Sequence, residues 1–178
     1  MKLIFIDVDG VLNCQQWYRS EEYKKLSKSE TKDIKEENNF CIWNVALLNK
    51  LTDDTGAKLV VSSSWRLHRS VDELKDLFKR VGITGEVIGK TPYLTFKCND
   101  AEYADYGYSV PRGCEIKAWI ETNKSILGVK VEELKYIILD DDSDMLYWQR
   151  NKYMWVDPYC GITPNIVYKA KKILNGTV

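Results

Sequence analysis

The chain has 178 residues, 44% of them hydrophobic and 12% aromatic, which is enough for one sizeable core and indicates a single domain over residues 1–178. Its 26 Lys and Arg residues balance 26 Asp and Glu residues, so net charge indicates neither a nucleic-acid nor a membrane partner. Five cysteines without a C-x-x-C pair, together with one histidine, argue against a structural zinc site and favour free thiols in a cytoplasmic protein. No apolar run approaches the roughly 20 residues that a bilayer crossing needs.

Short apolar runs alternate with segments of helical periodicity along the sequence. The runs predict strands at residues 2–6, 58–61, 86–88, 135–139 and 153–156. The periodic segments predict helices at residues 43–51, 71–81, 113–123 and 164–174. Ser70 and Glu73 have the spacing of a capping box, and small inserts are expected at about 14–39 and 90–111. This alternation predicts an α/β fold, with a Rossmann-like, doubly wound and mainly parallel five-stranded sheet.

Polar side chains follow three of the predicted strands directly. Asp7 and Asp9 follow the first strand at a turn containing Gly10, Ser62 follows the second, and residues 140–142, all Asp, follow the fourth. The carboxyl ends of parallel strands meet at one edge of a sheet, where such folds bind ligands. Carboxylates held close together repel unless a cation joins them, and oxygen donors favour Mg²⁺. Taken singly, each tip could instead be a turn or a helix cap.

Three segments carry a family resemblance. Residues 5–12, 59–62 and 137–141 resemble motifs I, II and IV of the haloacid dehalogenase (HAD) superfamily, in the right order. Residues 61–66, 112–119, 140–145 and 161–163 look like the small HAD domains grouped with RNA-repair proteins. The last third is also similar to the 3′-phosphatase domain of phage-type polynucleotide kinases. The resemblance implies a HAD-like fold with small inserts instead of a large cap.

The resemblance also implies a phosphatase that acts through an aspartyl-phosphate. Asp7 would attack phosphorus, and Asp9 would protonate the leaving oxygen and later deprotonate the attacking water. Mg²⁺ would be held by Asp7, by the Val8 carbonyl and by Asp140 or Asp141, with Asp9 as a further candidate ligand. We expect Asp9 to serve as an acid only where Asp7 or partial burial favours its protonated form.

The turn after the second strand is the candidate substrate-binding element. Ser62 and the following turn, including Ser63, would donate hydrogen bonds to phosphoryl oxygens, and Arg66 could reach the phosphate. The alternatives are a cap for Ser62 and a surface position for Arg66. Asp144 is expected either to support the metal ligands or to face solvent.

The family also requires a cation near the nucleophile, and three residues are candidates. Arg112 falls on the Ile116 side of its helix, at the N-terminal tip, where it could point into the crevice. Arg112 ranks first on this geometry, Lys117 ranks second although it better matches the spacing in polynucleotide kinases, and Lys90 ranks third. The sequence leaves the choice open.

The inserts are too short for a large lid, which favours an open site and a bulky substrate such as a nucleic-acid end. Candidate stacking residues are Trp17, Tyr93 and Tyr106, and candidate phosphate-binding residues are Arg19, Lys24 and Lys25. Each aromatic could instead pack within its own insert. A phosphatase of small metabolites and a non-catalytic binding module are the alternatives, and no membrane or obligate protein partner is indicated.

Overall fold

A computed structural model describes residues 1–27, 36–97, 107–128, 130 and 133–177. The strands are β1 (Lys2–Ile6), β2 (Lys58–Val61), β3 (Val87–Lys90), β4 (Thr95–Lys97), β5 (Gly107–Ser109), β6 (Lys135–Asp140) and β7 (Tyr153–Trp155). The helices are α1 (Gln15–Tyr18), α2 (Glu21–Ser27), α3 (Ile42–Thr55), α4 (Val71–Arg80), α5 (Arg112–Thr122), α6 (Lys124–Leu127) and α7 (Pro164–Asn175). Short 3₁₀ turns occupy Glu36–Asn39, Ser64–Arg66 and Tyr147–Gln149.

Five parallel strands form the main sheet, in the order β3-β2-β1-β6-β7. Side chains alternate between its two faces, so β1 sends Ile4 and Ile6 to one core and Leu3 and Phe5 to the other. Helices α3, α4 and α7 cover the first face, and α5 and α6 cover the second. This arrangement confirms the predicted α/β, doubly wound fold.

The core on the α5 face is built around Phe5. Its ring makes edge-to-face contacts with Trp119 and Tyr136, each at a centroid distance of 5.6 Å. Gly89 of β3 makes room for the indole, because a Cβ atom there would lie 3.0 Å from two atoms of the Trp119 ring. Helix α5, which carries Arg112, is thereby seated directly on β1 and β3.

Local capping signals begin and end the helices, and the predicted capping box is among them. The capping box between Ser70 and Glu73 opens α4, and Thr163 caps α7 by accepting the N–H of Ile166. Gly56, with φ +66°, ends α3. Periodicity did not reveal α1, α2, or the antiparallel pair β4–β5 within the predicted inserts. Each is too short to show a clear pattern.

The described cysteines are all free thiols: Cys14, Cys41, Cys114 and Cys160. Tyr106, a predicted stacking residue, lies outside the described residues. None of the described helices combines the length and the apolar composition that a membrane crossing requires.

Replacing a central β6 side chain is expected to destabilise the fold strongly. Ile137→Ala should lower the free energy of unfolding by about 2–5 kcal/mol, because Ile137 is fully buried and truncation leaves a cavity. Ile126→Ala, at a side chain 65% exposed on α6, should cost less than about 1 kcal/mol. Urea denaturation followed by circular dichroism measures both. Equal losses would contradict the assignment of β6 to the sheet centre.

Candidate active site

The carboxyl ends of β1, β2 and β6 meet at one edge of the sheet. The backbone N–H of Asp7 donates to the Leu139 carbonyl at 3.0 Å, and that of Ser62 donates to the Ile6 carbonyl at 2.8 Å. These bonds extend the sheet ladder by one residue, so the strand tips are held side by side. The strand order reverses between β1 and β6, which is where open α/β sheets bind ligands.

Asp7, Asp140 and Asp141 form a compact carboxylate cluster at this edge. One oxygen of each lies within 4.8 Å of the others. Asp7 is 7% exposed and Asp140 is 1% exposed, so water screens their repulsion poorly. Burial is the main reason that the pKa of Asp7 rises to about 6 and that of Asp140 to about 8, and the charge of Asp7 adds to the shift at Asp140. Burial also raises the pKa of Asp141.

Gly10 allows Asp141 to approach the turn that follows β1. Its φ of +70° favours glycine, and a Cβ atom at this position would overlap with Asp141 Oδ2. A side chain at position 10 would therefore strain the turn and displace the Asp141 carboxylate.

The cluster fits a divalent cation. Asp140 Oδ1 accepts the Asp142 N–H at 3.0 Å, whereas Oδ2 is buried and has no hydrogen-bond partner among the described residues. An unpaired buried oxygen is costly, and a cation bound to it would remove that cost. Three carboxylates supply the oxygen donors that Mg²⁺ prefers. The Val8 carbonyl, also expected among the ligands, accepts the N–H groups of Leu12 (2.8 Å) and Asn13 (3.1 Å).

The Asp7 carboxylate is oriented by two hydrogen bonds. The Val8 N–H donates to Oδ1 at 2.7 Å, and the Ser63 hydroxyl also hydrogen-bonds to this carboxylate. Both bonds lower the pKa of Asp7, against the larger effect of burial. Ser63 is itself fully buried, and its Oγ accepts the Trp65 N–H at 3.3 Å. The structure thus places Ser63 against the candidate nucleophile.

Arg112 is the candidate cation that lies beside the carboxylates. Its charge lowers the pKa values of Asp7, Asp140 and Asp141. Its Nη1 atom donates to the Ser62 carbonyl, and its backbone N–H donates to Asp144 Oδ2 at 2.7 Å. Asp144 therefore caps the start of α5, where the preceding residue makes no side-chain cap.

The structure places the two other candidate cations differently. Lys117 Nζ lies 3.9 Å from Glu121 and 5.6 Å from the centroid of the Trp148 ring. Lys90 Nζ donates to the backbone carbonyls of Arg66, at 2.9 Å, and of Arg69. Neither lysine is among the main causes of the pKa shifts in the carboxylate cluster, whereas Arg112 is.

Arg66 and Glu115 form a buried ion pair, with both side chains only 4% exposed. Arg66 also donates to the carbonyls of Ser63 (2.6 Å) and Thr91 (3.0 Å), and Glu115 Oε1 accepts the Leu94 N–H at 3.0 Å. Arg66 therefore joins the turn after β2 to the first turn of α5. The sequence had suggested a phosphate contact or a surface position for Arg66, and not this buried ion pair. Glu115 was missed because its partner is 49 residues away.

Ser62 has a partner within the protein for each of its polar groups. Its N–H and carbonyl bond to Ile6 and Arg112, as described above. Its Oγ accepts a long hydrogen bond from the Thr91 hydroxyl at 3.5 Å. Ser62 thus contacts the site through the guanidinium of Arg112.

Asp9 is exposed in the turn after β1. Among the described residues, the compact carboxylate cluster does not include it. Its Oδ1 accepts a hydrogen bond from Asn13 Nδ2 at 2.7 Å, and its Oδ2 accepts one from Trp65 Nε1 at 2.9 Å. Sequence patterns gave no reason to pair Trp65 with Asp9, because the contact joins residues 56 positions apart.

The insert residues that were predicted to stack on bases or to bind phosphates differ in their surroundings. Trp17 is buried and donates its Nε1–H to the Asn38 carbonyl at 2.9 Å, so it packs within its own insert. Tyr93 is exposed. Lys24 forms an ion pair with Glu21 at 2.7 Å. Lys25 lies in the last turn of α2.

Two exposed aromatic residues lie at or after the carboxyl end of β7. The Trp155 indole N–H donates to the Asp141 carbonyl at 2.9 Å, and its ring is 57% exposed. Tyr159, in the loop after β7, is 47% exposed, and the Arg19 guanidinium lies 5.8 Å from its ring centroid. The sequence-based candidates did not include Trp155 or Tyr159.

The family model described as the HAD domain in Swiss Army Knife RNA repair proteins matches residues 3–167. This range includes the carboxylate cluster, Arg112 and the whole main sheet apart from the first residue of β1. The chain belongs to this family. Membership in the HAD family supports a phosphohydrolase activity and confirms the resemblance seen in the sequence motifs. No curated protein and no solved structure matches the chain significantly.

The stability of the metal-free HAD domain should depend on pH through Asp140. An acid whose pKa is 3.8 when unfolded and about 8 when folded binds its proton more tightly in the folded state, so stability falls as pH rises between these values. Asp140→Asn should therefore raise the melting temperature by at least about 2 °C more at pH 8.5 than at pH 5.

Thermal melts at both pH values, with and without Mg²⁺, measure this effect. Mg²⁺ should stabilise the wild type at pH 8.5 and the Asp140→Asn variant much less. Asp142→Asn, at an exposed neighbour, is the control and should follow the wild type. Parallel pH profiles for Asp140→Asn and the wild type would contradict the prediction.

Proposed function

We propose that this chain is a Mg²⁺-dependent phosphatase that acts through an aspartyl-phosphate on Asp7. The observation that carries the proposal is the placement of the Asp7 carboxylate. It is buried, oriented by the Val8 N–H and Ser63, grouped with two further carboxylates, and faced by the charge of Arg112. This combination supports a nucleophile held next to a cation-binding site, as the family membership leads one to expect.

The reaction divides into two displacements at phosphorus. An Asp7 oxygen forms a bond to phosphorus while the ester P–O bond breaks, and Asp9 gives its proton to the departing alkoxide or phenoxide oxygen. Asp9 then removes a proton from water, the water oxygen bonds to phosphorus, and the bond between Asp7 and phosphorus breaks. Inorganic phosphate leaves, and Asp7 is restored as a carboxylate.

Asp7, Asp140 and Asp141 would hold Mg²⁺, which would neutralise negative charge on the carboxylates and the phosphoryl group when bound. Arg112 supplies a second, permanent positive charge. Its guanidinium stays ionised, and its bond to the Ser62 carbonyl fixes its direction. The transferring phosphoryl group is anionic, so a fixed charge near Asp7 favours its approach and its transition state.

Asp7→Asn should abolish the activity, because an amide cannot form the acyl phosphate. Hydrolysis of p-nitrophenyl phosphate with Mg²⁺ should fall by at least about 10³-fold and should also stop when EDTA is added to the wild type. Asp53→Asn, at an exposed acid on α3, is the matched control and should keep wild-type rates. A protein without measurable wild-type hydrolysis would instead be a non-catalytic binding module.

The roles of Arg112 and Lys117 can be separated on the same substrate. Arg112→Ala should lower kcat/KM about 10²-fold, the loss typical of removing one group that stabilises transition-state charge. Lys117→Ala should leave kcat/KM within about twofold of wild type, since its partners are Glu121 and Trp148. The reverse order of effects would assign the cationic role to Lys117.

We further propose that the substrate is a nucleic-acid end, such as a 3′-phosphate. The exposed ring of Trp155 is tethered to the Asp141 carbonyl, so it lies beside the carboxylate cluster where a base adjoining the reacting phosphate could stack. Tyr159, which follows the carboxyl end of β7, adds a second aromatic ring, and Arg19 beside it adds a cation. The family's description as a domain of RNA repair proteins supports the same substrate class.

Trp155→Ala tests this substrate class. It should raise KM for a 3′-phosphorylated oligonucleotide about 5- to 100-fold, the range expected for the loss of one base-stacking contact, and leave p-nitrophenyl phosphate kinetics unchanged. Tyr168→Ala is the control, because Tyr168 on α7 is similarly exposed at 59%. Hydrolysis confined to a panel of sugar phosphates would favour a metabolite phosphatase instead.

A further inference from the structure

The Trp65 indole makes an unusual use of its only donor. Its Nε1–H bonds to Asp9 Oδ2 at 2.9 Å. Two other indole donors whose partners are known, those of Trp17 and Trp155, bond to backbone carbonyls instead. A tryptophan that served only to fill the core could satisfy its N–H in the same way. The Trp65 donor is instead directed at the carboxylate to which the proposed reaction assigns proton transfer.

Asn13 completes a clamp on the same carboxylate. It donates from Nδ2 to Asp9 Oδ1 at 2.7 Å, while its own Oδ1 accepts the Gly10 N–H at 2.9 Å. The second bond fixes which end of the Asn13 amide faces Asp9. With Trp65 on Oδ2 and Asn13 on Oδ1, both the position and the plane of the Asp9 carboxylate are set.

The Trp65 ring is held in place before any substrate arrives. Its edge-to-face contact with Phe40 has a centroid distance of 5.3 Å, and the Arg69 guanidinium lies 5.3 Å from its centroid. Arg69 also donates to the Trp65 carbonyl at 3.0 Å and forms an ion pair with Glu36. The backbone N–H of Trp65 donates to the Ser63 hydroxyl, which also contacts Asp7. One short turn thus reaches both aspartates.

We infer that Trp65 is a positioning residue for Asp9 and fixes the direction in which Asp9 delivers a proton to the leaving oxygen. The inference rests on the proposed phosphatase function. Carboxylate oxygens together offer about four lone-pair positions, and the two N–H donors occupy one on each oxygen. This leaves one position on each oxygen through which a proton can be given or taken, so the direction of the transfer is fixed. An acid with a restricted orientation keeps its proton within reach of the ester oxygen as the P–O bond breaks.

The dependence of rate on the leaving group distinguishes positioning from a structural role. An alkyl leaving group departs as a strongly basic alkoxide and needs protonation, whereas p-nitrophenolate is stable as an anion. The parameter kcat/KM reports the first displacement, in which Asp9 gives its proton. The test compares kcat/KM for p-nitrophenyl phosphate with kcat/KM for an alkyl phosphate, either a 3′-phosphorylated oligonucleotide or a sugar phosphate, whichever the wild type hydrolyses.

Trp65→Phe removes the N–H and keeps an aromatic ring between Phe40 and Arg69. It should lower kcat/KM for the alkyl phosphate about tenfold more than for p-nitrophenyl phosphate, a part of the roughly 10²- to 10⁴-fold that general acid catalysis contributes. Phe40→Leu is the control. It loosens the packing of the Trp65 ring but keeps the indole N–H, so its selective loss on the alkyl phosphate should be smaller than that of Trp65→Phe.

A second substitution covers the case in which Trp65→Phe folds poorly. Replacing the Trp65 indole by benzothiophene, through incorporation of the corresponding unnatural amino acid, keeps the size of the double ring and removes only the donor. It should reproduce the selective loss on the alkyl phosphate. Equal losses on both esters, or no loss, in this variant would overturn the positioning role while leaving the phosphatase proposal intact. A wild type that hydrolyses neither ester would overturn both.

Discussion

Repulsion between two buried carboxylates, Asp7 and Asp140, is the constraint on which the surroundings of the site depend. Neighbouring parallel strands hold the two residues together, and those strands are anchored by side chains that are buried on both faces of the sheet. The acids cannot move apart without breaking the sheet. Either a proton or a positive charge must therefore neutralise them. This accounts for the raised pKa of Asp140 and for the approach of Arg112, and the unpaired oxygen of Asp140 can accept either one.

An arginine suits this position for a geometric reason. Its guanidinium has several donors in one plane, so one nitrogen can bond to the Ser62 carbonyl while the charge still faces the acids. A lysine has a single nitrogen on a flexible stem and would fix its charge less firmly. The buried pair of Arg66 and Glu115 acts on the same helix one turn later. It binds α5 to the loop after β2, although the desolvation of the two charges offsets much of their attraction.

Local patterns were sufficient to predict the strand tips and the helix phase. Asp7 and Asp140 could be found because each directly follows an apolar run, and Arg112 could be ranked first because it shares a helix side with Ile116. The bonds of Glu115 and Trp65 could not be predicted in this way. Their partners, Arg66 and Asp9, are distant in sequence, and only the packed fold determines which donor meets which acceptor. The short helices of the first insert escaped detection because fewer than two turns give no reliable period.

The cap that Asp144 provides for α5 links distant parts of the chain during assembly. Helix α5 precedes β6 in sequence, yet its first N–H is satisfied by a residue that follows β6. The first N–H of α5 therefore gains this partner only when the segment after β6, which contains Asp144, is in place. Arg112 is the first residue of α5, so the cap on this helix and the carboxylate cluster both depend on the segment that begins with β6. Until β6 is in place, the chain therefore has neither the complete carboxylate cluster nor the cap at the start of α5.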